Sequence, residues 1–208
     1  MHRTRVKICG LTRVEDVRAA VDAGADAIGL VFYPPSARCV TVERAAELAA
    51  AVPPFISVVG LFVNPEETFV REVLAHVPLH VLQFHGDEAE PDCARFGRPW
   101  LKAARVRAGL DLLEFDACHG RASGILLDAF VEGYGGSGKV FDWSLIPQGM
   151  NRRRLILSGG LDADNVTEAV RRVRPWAVDV SSGVEVQKGI KSAERIAAFI
   201  AGVRNADG

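Results

Sequence analysis

Short β-branched and apolar runs alternate along almost the whole chain with longer stretches of helical pattern. Eight such runs stand out: Val6–Cys9, Ala27–Phe32, Ile56–Val63, His80–Phe84, Trp100–Ala104, Gly124–Asp128, Leu155–Ser158 and Ala177–Val180. Strand-sized runs separated by helical segments predict βαβ units in a parallel sheet, because a parallel pair needs a crossover long enough to hold a helix. Thr12 with Glu15, Asn64 followed by Pro65 and Glu67, and Asp87 with Glu90 read as capping boxes at helix starts. A helix over Val14 to Ala23 is expected to end at Gly24, a residue suited to the left-handed C-terminal position, with the next strand following after a short loop.

Dividing the 208 residues among eight strand–helix units leaves about 26 per unit, close to the lower limit for a (β/α)8 or TIM barrel. A doubly wound open sheet is the alternative, but the GxGxxG turn expected after its first strand is missing. The expectation is therefore an α/β chain forming one barrel domain over residues 1–208, with Gly202 to Gly208 a frayed tail. The apolar-looking region Ala45 to Val63 carries Glu47 and the pair Pro53-Pro54, which divide it into helix, turn and strand rather than a membrane span.

Charge narrows the partners. The formal net charge is -1, so there is no positive excess to neutralise a nucleic-acid backbone, and a small-molecule partner fits better. The polar, basic start at Met1 to Gly10 is unlike a signal peptide, which predicts a cytoplasmic product. Cys9, Cys39, Cys93 and Cys118 form no CxxC pair and the histidines show no ligand spacing, so no metal site is expected and the thiols should be free. A monomer and a homodimer are both compatible with the sequence.

In a barrel of this kind the chemistry comes from the C-terminal ends of the strands. Side-chain alternation puts Lys7 and Cys9 on one face of the first strand and Val6 and Ile8 on the other, so the polar pair is expected to point into the barrel. A nearby ammonium would lower the cysteine pKa and make Cys9 a candidate general base; alternatively Cys9 is a core filler and Lys7 the partner of an inward carboxylate such as Asp179. Asp128 ends an apolar run, where desolvation can raise a carboxyl pKa enough for a general acid; its structural alternative is a cap over the segment that follows. The turns Ser158-Gly159-Gly160 and Ser181-Ser182-Gly183 follow the two strands that phosphate-binding barrels use, although glycine serves left-handed turns everywhere. Arg38, after the second strand, can grip a carboxylate bidentately or be an ordinary solvated arginine.

Several segments, in order, resemble the phosphoribosylanthranilate isomerase family from Val6 to about Ile200. They are Lys7-Ile8-Cys9-Gly10-Leu11-Thr12, Gly24-Ala25-Asp26-Ala27 leading into Gly29-Leu30-Val31-Phe32, Gln83-Phe84-His85-Gly86, Leu127-Asp128, Gly135-Gly136-Ser137-Gly138-Lys139 with Phe141-Asp142-Trp143, Leu157-Ser158-Gly159-Gly160-Leu161 with Asn165-Val166, and Val178-Asp179-Val180-Ser181-Ser182-Gly183-Val184-Glu185. The resemblance implies an Amadori rearrangement of a phosphoribosyl anthranilate in tryptophan biosynthesis, with no metal or organic cofactor. It implies Asp128 as general acid at the ring oxygen and Cys9 as general base at the sugar C2. Arg38 would hold the anthranilate carboxylate, Gly159, Gly160, Ser182 and Gly183 the phosphate, and Gln83 and His85 would also contact substrate. The loop Gly133 to Lys139 reads as a mobile lid or a rigid turn. Cys39 stands where the family often has an aromatic residue, which would loosen packing beside the anthranilate ring, and Ser192 replaces a usual acidic residue but can still cap the last helix. Two other readings are a bifunctional isomerase that also acts on the aminoaldose of histidine biosynthesis and a non-catalytic barrel that binds a phosphorylated ligand. The first is similar to barrels with an aspartate base on strand one and internal repetition, neither of which is evident here; the intact pair Cys9 and Asp128 argues against the second.

Overall fold

The computed structural model describes residues 3–129 and 141–208, so the loop Gly133 to Lys139 lies outside the described residues. Eight strands follow one another: β1 Arg5–Cys9, β2 Ala27–Val31, β3 Ser57–Phe62, β4 Val81–Phe84, β5 Trp100–Val106, β6 Gly124–Ala129, β7 Leu155–Leu157 and β8 Ala177–Val180. Each lies parallel to its sequence neighbours, and β8 returns to pair with β1, closing the barrel and removing the open-sheet alternative. All eight predicted runs coincide with these strands to within two residues.

The helices are α1 Val14–Ala23, α2 Val42–Ala50, α3 Glu67–His76, α4 Glu90–Ala94, α5 Leu112–Cys118, α6 Val166–Val173 and α7 Ala193–Asp207. Between β6 and β7 the described residues include short 3-10 turns at Trp143–Leu145 and Arg152–Arg154. An antiparallel hairpin, β9 Glu185–Gln187 and β10 Ile190–Lys191, precedes α7. Among the described residues no helix is long and apolar enough to cross a membrane.

Helix α1 ends as expected: Gly24 has φ 94° and its N–H bonds back to the carbonyls of Ala20 and Val21. The three predicted capping boxes do not form. Thr12 Oγ1 instead donates to the Gly189 carbonyl at 2.6 Å, and α1 starts after Arg13 with no side-chain cap. Asn64 Oδ1 accepts the Asp87 N–H at 2.7 Å, and α3 and α4 start after Glu66 and Ala89 without side-chain caps. Thr12 and Asn64 sit in loops that meet other loops, so a distant partner outcompetes the local one. Thr41, Asp111 and Ser192 are the side chains that cap α2, α5 and α7, the last as anticipated.

Outward-facing Ile8, Ile28, Leu30, Leu82, Leu127 and Val178 are completely buried under the helices, each side chain stabilising the fold by roughly 1.5–3 kcal/mol. Inside the barrel, Ala103, Leu126, Ile156 and Ala177 form a small apolar cluster. Two residues further along β8 comes buried Asp179, and just past β7 comes buried Ser158, so the interior turns polar towards the C-terminal mouth.

The expected frayed tail is a correction. The final helix continues to Asp207, whose carboxylate accepts both the N–H and the Oγ1–H of Thr4 at 2.7 Å, tying the chain end to the residue before β1. Because Thr4 is buried, Asp207→Ala leaves its donors unsatisfied. The variant should be about 1–2 kcal/mol less stable in urea unfolding, whereas a loose tail would give no change.

Candidate active site

Strand β1 sends Lys7 and Cys9 into the barrel. Lys7 stands in register with Asp179 on β8, and its Nζ lies 2.7 Å from Asp179 Oδ1 with both side chains 6% exposed. Gly29 on β2 makes room for this pair: a Cβ there would fall 2.7 Å from Cys9 Sγ and 3.1 Å from Lys7 Nζ. The ion pair expected of Lys7 is therefore formed, and Cys9 stands two residues further on, at the mouth.

The expected direction of the Cys9 pKa is overturned. Burial pushes the thiol up, and this outweighs the Lys7 ammonium, whose field Asp179 opposes. Burial also draws Lys7 down, but Asp179 and Cys9 together hold it above its ordinary range.

Arg38 is not a solvated arginine. It is buried, and its Nε and Nη2 each donate to Glu185 at 2.7 Å in a bidentate pair that leaves Nη1 outside it. Lys191 joins from β10, with Nζ 2.8 Å from Glu185 Oε1 and 3.0 Å from the Ser181 carbonyl, while its N–H donates to Asp16. Burial pushes Glu185 up, but the hydrogen bond from Arg38 and the Lys191 charge hold its carboxyl below the usual value. Burial dominates at Lys191, whose pKa is lowered despite Glu185. Glu185 and Lys191 were missed as site residues; the signal available was a charge set between apolar neighbours in Val184-Glu185-Val186 and beside Ile190.

These groups surround an open cleft of about 720 Å³ at the C-terminal ends of the strands. Cys9, Arg38, Gln83, His85, Asp128, Gly159, Gly160 and Ser182 all line it, together with the unpredicted Tyr33, Leu61 and Val63 that give it an apolar wall. Gly183 does not line it. A Cβ there would lie 2.0 Å from the Leu161 carbonyl oxygen, so this glycine lets the turns after β7 and β8 pack together. Cys39 is also absent from the lining, being held in a bridge to Val31, so the expected loosening beside a ligand ring has no basis in the cleft wall.

On β6, Asp128 faces the cleft with its side chain 20% exposed. Its Oδ1 accepts the Ala129 N–H at 2.9 Å, and Oδ2 lies 3.1 Å from His85 Nε2, whose Nδ1 is 3.1 Å from Gln83 Nε2. Gly159 and Gly160 have φ 81° and 67°. A Cβ at Gly159 would sit 2.4 Å from the Ala129 nitrogen and 3.0 Å from Asp128 Oδ1, so only glycine lets this turn come so close to the carboxylate.

Comparison with known proteins bears on this arrangement. The sequence pattern of the N-(5'-phosphoribosyl)anthranilate (PRA) isomerase family matches residues 6–202. The chain belongs to this isomerase family. A relative named N-(5'-phosphoribosyl)anthranilate isomerase from Dechloromonas aromatica is 64% identical over 205 residues, covering 99% of this chain and 98% of that one. The crystal structure of phosphoribosyl anthranilate isomerase from Thermotoga maritima superposes with a TM-score of 0.88 at 44% identity, covering 99% of each chain. A family structure in complex with reduced 1-(o-carboxyphenylamino)-1-deoxyribulose 5-phosphate superposes with a TM-score of 0.84 at 41% identity, again covering 99% of each chain.

Within this isomerase fold, the Lys7–Asp179 pair sets the environment of Cys9. Lys7→Met leaves a buried carboxylate without its cation and should cost about 3 kcal/mol in urea unfolding. Removing the ammonium should also push the Cys9 thiol further up, so its alkylation by iodoacetamide should need a higher pH than in the wild type. Unchanged stability and an unchanged alkylation profile would show that the pair does not act on Cys9.

Proposed function

We propose that the protein isomerises N-(5'-phosphoribosyl)anthranilate to 1-(2-carboxyphenylamino)-1-deoxyribulose 5-phosphate in tryptophan biosynthesis, in the cytoplasm, by acid–base chemistry without metal or organic cofactor. The observation that carries this reading is that Cys9, from β1, and Asp128, from β6, line one cleft beside the glycine turn of β7. The partner is the small-molecule substrate, with no nucleic acid or membrane involved. The reading suits a monomer or a homodimer.

In this mechanism Asp128 gives its proton to the furanose ring oxygen as the C1–O bond breaks, and the anthranilate nitrogen lone pair forms the C1=N Schiff base. Cys9 as thiolate takes the C2 proton, the C2–H electrons form the C1=C2 bond of an enolamine, and the Schiff base nitrogen recovers its lone pair. Tautomerisation moves the enol proton to C1 and leaves the C2 ketone. Burial opposes the thiolate and Asp179 adds to it, while Lys7 and Lys191 favour loss of the Cys9 proton. Arg38, held flat by Glu185, offers Nη1 to the substrate carboxylate. Gly159, Gly160 and Ser182 receive the phosphate, with Gln83 and His85 between, so both ends of the substrate are fixed across the acid and the base.

Cys9→Ala and Asp128→Asn should each lower kcat by about a hundredfold or more while binding of the reduced product analogue is largely kept. The assay is the loss of fluorescence of enzymatically generated phosphoribosylanthranilate. Wild-type rates in either variant would remove that residue from the mechanism, and no turnover by the wild-type protein would favour a binding-only barrel.

A further inference from the structure

One buried ion pair lies outside the cleft altogether. Lys102 on β5 and Glu88, just past β4, meet at 2.6 Å with side chains 2% and 6% exposed, and neither lines the cleft. Lys102 points outward from its strand. Its register partner Phe84 and its neighbours Trp100 and Ala104 belong to the outer apolar core, whereas Leu101 and Ala103 belong to the cluster inside the barrel. A charge pair in that layer is a poor source of stability, because desolvation offsets most of the attraction and apolar side chains of similar volume often serve a fold as well.

The hydrogen bonds of the pair converge on one turn instead. Lys102 Nζ donates to the Gly86 carbonyl at 2.7 Å, and Glu88 Oε2 accepts the Gly86 N–H at 3.0 Å. Glu88 Oε1 accepts the Asn64 N–H at 2.6 Å, and Asn64 Oδ1 accepts the Asp87 N–H at 2.7 Å. One residue earlier, the His85 N–H donates to the Phe62 carbonyl at 2.8 Å. The backbone on both sides of the His85 side chain is therefore fixed. A Cβ at Gly86 would fall 2.2 Å from Asn64 Oδ1, so the turn has no room to slide towards the loop after β3.

What this turn carries into the cleft is the His85 ring, whose Nε2 lies 3.1 Å from Asp128 Oδ2. An imidazole moves with its own backbone, so the ring meets Asp128 only while the turn keeps its place. Displacing a group at a reacting centre by about 1 Å lowers a rate by as much as about a hundredfold.

We propose that Lys102 and Glu88 are positioning residues: from the outer face of β5 they clamp the Gly86 peptide and thereby hold the His85 ring against Asp128 at the mouth of the cleft. The proposal rests on the isomerase reading, in which His85 and Asp128 act on the substrate, and adds two residues that touch neither substrate nor cleft.

Lys102→Met alone strands the Glu88 carboxylate, so the first variant is Lys102→Met with Glu88→Gln, which removes both charges and keeps an acceptor for the Gly86 and Asn64 N–H groups. Glu88→Asp, which keeps the charges but shortens the reach, tests the same clamp should the double variant fail to fold. Each is assayed by loss of phosphoribosylanthranilate fluorescence, with and without His85→Ala, under conditions where circular dichroism shows it folded. With His85 present, kcat should fall about tenfold in the double variant and about threefold in Glu88→Asp. In the His85→Ala background neither should change kcat by more than about twofold, because the ring they position is gone. Equal losses in both backgrounds overturn the proposal, since a general loosening of the fold acts with or without the ring, and so does an unchanged kcat when His85 is present. If His85→Ala by itself keeps the wild-type rate, the proposal fails and the isomerase reading stands; no turnover by the wild-type protein would sink both.

Discussion

Where β8 returns to β1, Lys7 and Asp179 meet across the closing seam of the barrel, and the rest of the site is arranged around that contact. Two charges taken out of water are tolerated only when they face each other at hydrogen-bond distance, so the pair constrains the register of the two strands as well as their closure. A slip of one residue would turn Lys7 towards the helices and Ile8 into the polar interior, which penalises every register but one. The same pair places Cys9 two residues further on, at the mouth, and requires the bare backbone of Gly29 beside it.

A second buried network takes over above the seam. Glu185 accepts two hydrogen bonds from Arg38 and one from Lys191, and Lys191 reaches back to the Ser181 carbonyl and takes its own backbone partner from Asp16. The loop after β2, the turn after β8 and the β9–β10 hairpin are thus joined through Glu185 and Lys191, and helix α1 is tied to them through the Asp16 carboxylate. Loops alone are mobile, but loops whose charges neutralise one another in a dry interior are held to one geometry, which suits a site that must grip a substrate at both ends. The cost is electrostatic. Burial raises the Cys9 thiol and lowers Lys191, so the proposed base works against its own desolvation, helped by the cations around it.

The fold was legible because the barrel's strands write themselves into the chain as short apolar runs at regular spacing, and because Gly24 marks a helix end by its need for positive φ. Family motifs lie at the same strand ends, so Cys9, Asp128, Arg38, Gln83, His85 and the β7 glycines could be named as cleft residues before any geometry was known. The inward direction of Lys7 and Cys9 followed from two-residue alternation alone.

Long-range partners were not legible. Thr12 and Asn64 carried local capping signals that lost to loops distant in sequence, and Asp207 turned an apparently loose tail into a tether by meeting Thr4. Arg38 looked like a free guanidinium until Glu185 was placed against it, and the need for a bare backbone at Gly183 came from the Leu161 carbonyl beside it. Periodicity and turn chemistry are properties of neighbouring residues, so the sequence by itself determined the strands, their number and the residues at their ends. Charge pairing, desolvation and close backbone approach depend on distances between residues far apart in the chain, and only the closed barrel decided those.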